Sequence, residues 1–406
     1  MDRAENPLTI TVALIFDEPL DFTRFTALAR ERLLCYPRFV QRIDDGVLGA
    51  HWEPDPYFDL RDHLHHRALP APGGRAALEE LISDLLSTPL DRTKPLWQMH
   101  FVEGYEGGTA VVVRLHHCIA DGVALVALMI SLTDEGEGIE PQVVGTPSAP
   151  PPTGPIDAAR RLATEAAALG KMLLLPSDPH TALRGELGTR KAVAWSDPIP
   201  LATLKTIARA SGAKINDVLS AAVSGALRGY LVSRGETRDD LTIRALVPVN
   251  LQGYREGDFG NHFGLVFCGF PLHPSPALER VRGMKRNMDE AKASPDAVVA
   301  LGVLAAMGVA SSEIEHIGVN IFTAKASLLM TNVPGPPVRI HIAGRELSSV
   351  VVWAPVSGAL SLGCSLISYG GFVRLGVSAD VRVVPDPHVI VRAFEREIMA
   401  QRESMA

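Results

Sequence analysis

A mixed α/β fold in two halves is predicted by three features of the chain. Strand-like and helix-like periodicities alternate from the N-terminus onward, a proline-rich stretch interrupts them near the middle, and 406 residues suffice for two domains of ordinary size. The predicted units are 1–140, a linker over 141–190, and 191–406.

Residues 8–16, an apolar run alternating with threonines, read as the first strand. Asp21 then stands as the cap of a helix that carries Phe22, Phe25, Ala29 and Leu33 on one face. A turn-rich GYEGG at 104–108 leads into the β-branched strand 109–115, a short polar loop and an apolar helical segment over 122–132. From Asp134 to about Arg190 the composition shifts to EGEGIEPQ and PSAPPPTGP, then an alanine-rich patch, and its prolines make this a semi-rigid linker. The second half opens with a helix over 201–210. Asn216 next caps a helix whose Leu219, Ala222, Val223, Ala226, Leu227, Tyr230 and Leu231 form a face that must be buried. Strands follow at 241–249, 264–270, 326–331, 350–353 and 372–379, with helices near 277–293 and at the C-terminus. No short-period repeat is visible.

Composition excludes several classes. Apolar residues make up 47% and charged ones 21%, and 39 basic against 46 acidic residues leave a net charge of −7, with a pI near 6.0. Nucleic-acid binding needs a basic surface, and disorder needs a less apolar chain. A mean hydropathy of +0.14 keeps a lipid connection open. Cys35, Cys118, Cys268 and Cys364 lie far apart with no CxxC pair, which argues against zinc or a disulfide framework and fits a reducing cytoplasm. The N-terminus has two acids and no small-residue cleavage site, so it is not read as a signal peptide. The stretch 297–310 is too short to cross a bilayer, which takes about 20 apolar residues.

Chemistry concentrates in Leu115-His116-His117-Cys118-Ile119-Ala120-Asp121-Gly122. In an extended strand Val111, Val113, Leu115 and His117 point one way while Val112, Arg114 and His116 point the other, so the two histidines cannot share one role. Taken as the ring that faces a cavity, His117 is a candidate general base, neutral at cellular pH and able to remove a proton from an alcohol. Such a base needs no covalent partner when the acyl donor is already activated, as a thioester is. No GxSxG, GxGxxG or GxxxxGK segment occurs, so hydrolase-type, dinucleotide and P-loop readings lose support. Asp121 is read as structural, capping the next helix or pairing with an arginine, and Gly122 lets the backbone pass close to the cavity. His63, His65 and His66 resemble a metal site at first sight. Alternation puts His63 and His65 on one face of a polar strand, and that reading is preferred. Arg280, Arg282, Lys285 and Arg286 form a basic run expected to be a solvated face, with CoA phosphates or anionic headgroups as the functional alternative.

Other blocks stand in order along the chain: Asn6-Pro7-Leu8; Pro37-Arg38-Phe39 with Gln41-Arg42; Pro89-Leu90-Asp91-Arg92 leading to Pro95-Leu96-Trp97; Asn216-Asp217-Val218; Val247-Pro248-Val249-Asn250; Gly260-Asn261-His262-Phe263-Gly264; and Thr331-Asn332-Val333-Pro334-Gly335-Pro336. With these around HHxxxDG, the chain resembles the bacterial wax ester synthase/acyl-CoA:diacylglycerol acyltransferases, members of the chloramphenicol acetyltransferase-like superfamily. The resemblance implies two such α/β domains, mixed sheets flanked by helices, with an active-site tunnel at their interface. It implies a long-chain acyl-CoA donor, a diacylglycerol or long-chain alcohol acceptor, and the second histidine, His117, as base beside His116. Neither a metal nor a cofactor is implied, acyl-CoA being a substrate. Asn261 is the candidate oxyanion donor; Gly260, Phe263, Gly264, Thr331 and Asn332 are expected to shape the cavity, and Pro95, Leu96 and Trp97 either line a lipid channel or fill the core. The expected setting is the cytoplasm, attached peripherally to membrane or lipid droplets. Only five residues precede Asn6, where the family usually carries a longer leader, and Thr331 replaces the commoner serine. Two other readings are an HHxxxDG enzyme with a different acceptor, such as a polyketide alcohol or carrier-bound substrate, and a catalytically dead lipid-binding protein.

Overall fold

The structure, a computed structural model, describes residues 3–46, 49–119, 126, 129–134, 170, 174–250, 263–294 and 312–405. Its first part runs β1 (Thr9–Phe16), α1 (Phe22–Arg32), β2 (Gln41–Gly46), β3 (Gly49–Pro54), β4 (Leu64–Ala68), α2 (Arg75–Leu86), β5 (Trp97–Tyr105) and β6 (Gly108–His116). The second continues with β7 (Lys191–Trp195), β8 (Ile199–Pro200), α3 (Leu201–Ser211), α4 (Ile215–Ser233), β9 (Thr242–Asn250), β10 (Phe263–Pro271), α5 (Ala277–Ala293), α6 (Ser312–Thr323), β11 (Leu328–Pro334), β12 (His341–Ile342), β13 (Arg345–Glu346), β14 (Ser349–Trp353), β15 (Leu362–Tyr369), β16 (Phe372–Asp380) and α7 (Pro387–Glu403). Two mixed sheets flanked by helices organise these elements. One has the order β14-β1-β6-β5-β4, the other β10-β9-β11-β15-β16-β7 with β8 on β16.

Period-two alternation decides the faces of the first sheet. Ile10, Val12, Leu14 and Phe16 of β1 join Val111, Val113 and Leu115 of β6 against Phe25 and Leu33 at α1. Ala13, Ile15, Ala110 and Val112 turn to the opposite face, onto Leu78, Ile82 and Leu85 of α2. The expected cap is present, with the Asp21 carboxylate accepting the Arg24 N–H at 2.8 Å. In the second sheet, α4 is buried nearly all round among α3, α5, α7 and the strands, while Phe322 of α6 packs with Leu246, Val356 and Leu360 on the other face.

Helix α2 also seals an edge. Ser83 Oγ accepts the Val193 N–H at 3.1 Å and Ser87 Oγ accepts the Lys191 N–H at 2.8 Å. Four helical residues rise about 6 Å and two strand residues about 6.6 Å. A helix laid along β7 can therefore satisfy alternate amides of an edge strand that would otherwise invite pairing.

Three expectations are corrected. The α4 cap is at Lys214, whose N–H donates to Asp217 Oδ2 at 2.8 Å, and Asn216 lies inside the first turn. His63 and His65 do not share a face, because His63 precedes β4 in a helical turn conformation (φ −114°, ψ −25°). Its ring stacks on Trp97 with centroids 4.5 Å apart, whereas His65 stacks on His100 at 4.8 Å. Of the basic run on α5, Arg280 is only 7% exposed and pairs with Glu397, and Lys285 pairs with Asp289 one turn on.

His100 is a titratable group inside the first sheet. Its Nδ1 accepts from Arg67 Nε at 3.1 Å, and its buried Nε2 has no hydrogen-bond partner among the described residues. Burial, and then the positive field of His65, Arg67 and Arg114, hold its pKa down to about 3. An unfolded chain takes up this proton near pH 6.5 while the folded one does not, so stability is full above that pH and falls as pH drops toward 3. Urea unfolding of the wild type is expected to lose about 2 kcal/mol more between pH 6.5 and 4.5 than His100→Gln does. Parallel pH profiles for the two proteins overturn this assignment.

Candidate active site

Strand β6 is held on both sides up to the point where the chemistry begins. Thr9 of β1 lies opposite His116, and Trp97 of β5 lies opposite Leu115. The His116 N–H donates to the Leu96 carbonyl at 2.9 Å, and the His117 N–H donates to the Leu8 carbonyl at 2.8 Å. Two of the sequence blocks, Asn6-Pro7-Leu8 and Pro95-Leu96-Trp97, thus grip the two histidine amides from opposite edges. The strand then stops, and the Ile119 N–H donates back to the His116 carbonyl at 3.0 Å to close a turn.

That turn occupies one nitrogen of the first ring. His116 Nδ1 accepts the Cys118 N–H at 3.2 Å and lies 2.9 Å from Cys118 Sγ. In the neutral ring the proton therefore sits on Nε2. His116, His117 and Cys118 are all half-buried at the end of the sheet.

On the β1 side the grip is itself anchored in the second half of the chain. Asn6 is 1% exposed, and its Nδ2 donates to the carbonyls of Gly358 at 2.9 Å and Leu360 at 3.1 Å. Gly358 takes a φ of +55°, and a Cβ there would lie 2.2 Å from Thr323 Oγ1, so only glycine fits the loop that receives Asn6. On the β5 side, Pro95, Leu96 and Trp97 are buried, Trp97 to 1%. The Trp97 indole N–H donates to the Phe39 carbonyl at 2.9 Å, its carbonyl accepts from His63 Nδ1 at 2.8 Å, and its ring meets Phe39 edge-on at 5.6 Å. Burial pushes the His63 pKa down, which suits a core histidine.

Thr331 and Asn332 lie on β11 of the other sheet, half-buried and exposed respectively. The Asn332 Nδ2 donates to Asn216 Oδ1 at 3.0 Å and so joins two further blocks. Gly264 is buried on β10 opposite Val249, and the Phe263 backbone pairs with Asn250. Asp121, Gly122, Gly260 and Asn261 lie outside the described residues. So do the ends of the loop and helix that follow the motif. Among the described residues, Asp44, His51 and Glu53 on the β2–β3 hairpin are close enough to hold a cation together, but Glu53 is bonded to Arg42 at 2.5 Å. No described helix is long and apolar enough to cross a membrane.

Sequence reading passed over the chemistry of Arg114 and Cys118. Arg114 is 2% exposed, with Nη1 donating to Gln98 Oε1 at 2.9 Å and Nη2 to the Thr88 carbonyl just beyond α2. The available signal was an arginine in the middle of an aliphatic strand. For Cys118 it was a thiol two residues from an imidazole.

A two-sheet α/β chain with paired histidines at a strand end points to the acyl-transfer class, and comparison with known proteins agrees. The fold matches a wax ester synthase/diacylglycerol acyltransferase from Marinobacter aquaeolei VT8 with a TM-score of 0.73 at 20% identity, covering 100% of this chain and 96% of that one. It also matches the first condensation domain of the calcium-dependent antibiotic synthetase, TM-score 0.62 at 16% identity, covering 98% and 91%. The family model for the wax ester synthase/diacylglycerol acyltransferase catalytic domain matches residues 1–174, and that for the WS/DGAT C-terminal domain matches 259–400. The probable diacylglycerol O-acyltransferase tgs1 of Mycobacterium tuberculosis is 28% identical over 428 residues, 97% of this chain and 91% of the relative. The putative diacylglycerol O-acyltransferase Rv1760 of the same organism is also 28% identical, over 95% of this chain and 84% of its own length. The chain belongs to the wax ester synthase/diacylglycerol acyltransferase family and is an acyltransferase.

Asn6→Ala removes the donor for two carbonyls and is expected to cost about 1 to 3 kcal/mol in urea unfolding. Wild-type stability in this variant would mean that Asn6 does not anchor β1.

Proposed function

We propose that the chain transfers a long-chain acyl group from acyl-CoA to the hydroxyl of diacylglycerol, giving triacylglycerol, and to long-chain alcohols, giving wax esters. His117 serves as general base and no covalent acyl-enzyme forms. The observation that supports the assignment of the base is the contact made by the first ring. His116 Nδ1 is committed to Cys118, and the family's second histidine falls at His117. The names of the relatives support the substrates.

In this reading His117 takes the proton of the acceptor hydroxyl as its oxygen attacks the thioester carbonyl. The tetrahedral intermediate collapses, the C–S bond breaks, and the imidazolium returns the proton to the departing CoA thiolate. Asn261 donates to the oxyanion, Asp121 has a supporting role and takes no proton, Gly122 and Gly260 belong to the same family blocks, and Phe263, Gly264, Thr331 and Asn332 contribute to the cavity from the second sheet. Pro95, Leu96 and Trp97 back the histidine strand from the core, where Trp97 is 1% exposed. The tunnel lies between the 1–140 and 191–406 units, and the route calls for no metal or cofactor. The enzyme works in the cytoplasm, attached peripherally to membrane or lipid droplets.

Purified protein with palmitoyl-CoA is expected to release CoA in the presence of dioleoylglycerol or hexadecanol, and little without an acceptor. His117→Ala should lower this by about 10²- to 10⁴-fold with an unchanged thermal midpoint. Equal release by the variant rules out His117 as base, and release that ignores lipid acceptors points to another acceptor class.

A further inference from the structure

The turn after β6 holds a thiol–imidazole pair that the proposed acyl transfer leaves unused. Cys118 Sγ is 2.9 Å from His116 Nδ1, and the Cys118 N–H donates to the same nitrogen at 3.2 Å. That lone pair is therefore aimed at residue 118, so the imidazole is placed to accept the thiol proton. A nucleophile with a base in hydrogen-bond reach is the arrangement that makes a thiol reactive. Strand pairing of His116 with Thr9 fixes the backbone on which the ring stands, and Cys118 is half-buried, not sealed. The chain's other thiols differ. Cys268 and Cys364 are buried, with pKa values pushed up to about 12 by that burial, and Cys35 is exposed with its Sγ 3.1 Å from the Arg32 carbonyl.

We propose that Cys118, with His116 as its base, is a thiol–disulfide exchange site where a small disulfide attaches one residue from His117 and blocks it. The thiol proton passes to His116 Nδ1, and the Cys118 thiolate attacks one sulfur of the disulfide. Its S–S bond breaks, a mixed disulfide forms at Cys118, and the departing thiolate takes the proton from His116. CoA disulfide is the preferred partner, because the acyltransferase reading brings a CoA sulfur to this position; that preference rests on the reading above, whereas the exchange chemistry does not.

The full-length protein is incubated with CoA disulfide or with oxidised glutathione, and the adducts are mapped by peptide mass. Cys118 is expected to react at least about tenfold faster than Cys35, faster with CoA disulfide than with glutathione. His116→Gln should remove most of that excess. Acyl transfer should fall in step with the adduct and return with dithiothreitol, and Cys118→Ala should resist the treatment. Wild-type Cys118 reacting no faster than Cys35 overturns the proposal without any variant having to fold, as does an adduct that leaves activity intact. Equal rates with both disulfides overturn the CoA preference alone. The mass readout needs no turnover, so a protein that modifies at Cys118 yet acylates no lipid separates failure of the functional reading from failure of this one.

Discussion

A strand lent by the second half of the chain completes the sheet that carries the histidines. β14 runs antiparallel to β1 from Thr11 opposite Trp353 to Ile15 opposite Ser349. Without it β1 would be an edge, and β6 would lie one strand from solvent on that side. β14 also passes tightly beneath β16, where a Cβ on Gly376 would lie 2.3 Å from the Val352 carbonyl oxygen, so only glycine admits the crossing. Trp353 meets Trp195 of β7 edge-on at 5.7 Å. The Asn6 bonds to Gly358 and Leu360 add a second tie just beyond β14. The segment that holds the His117 amide is thus fixed by residues that follow it by more than 200 positions.

Much of this was legible from sequence alone, and the limits have physical causes. Alternation identified β1 and β6 and sorted their faces, because each face meets a different apolar layer. The helix at 277–293 and the Asp21 cap were equally plain. β14 itself was readable as a strand, but SVVVW carries no mark of which sheet it joins, since a strand buried on both faces is uniformly apolar either way. β15, LGCSLISY, was missed for a related reason, with glycine and two serines diluting an apolar run in the middle of a sheet. Parity placed His63 with His65 by counting through a residue that precedes the strand; periodicity holds only where the backbone is extended. The motif was visible from HHxxxDG, whereas the thiol–imidazole contact depends on the turn that brings residue 118 back to residue 116.

The face of the first sheet that carries His116 is unusually polar for an interior. Among the described residues, the buried hydroxyls of Thr9 and Thr11 and the Nε of Arg114, opposite Thr11, find no hydrogen-bond partner. Burial brings the Arg114 pKa down to about 10, which still leaves it charged at neutral pH. Among the described residues no carboxylate bonds to it. Its acceptors among the described residues are the Gln98 side chain and the Thr88 carbonyl, the latter at the negative end of α2. The helix that seals β7 with its serines therefore also meets a buried cation two residues before His116, which ties the packing of α2 to the geometry of the motif.

In the proposed reaction, acyl transfer from a thioester to an alcohol sets a requirement of its own. The donor is activated already, so a base and an oxyanion donor suffice, but a base able to activate an alcohol also activates water. Favouring the alcohol depends on keeping water away from the reacting carbonyl. Several apolar side chains close to the motif in sequence are buried: Leu115 and Ile119 are 1% exposed, Leu132 is 5%, Val126 is 5% and Met129 is 8%. The apolar excess seen in the composition serves the packing of two sheets, and in the proposed reaction apolar surface next to the base would favour an alcohol over water.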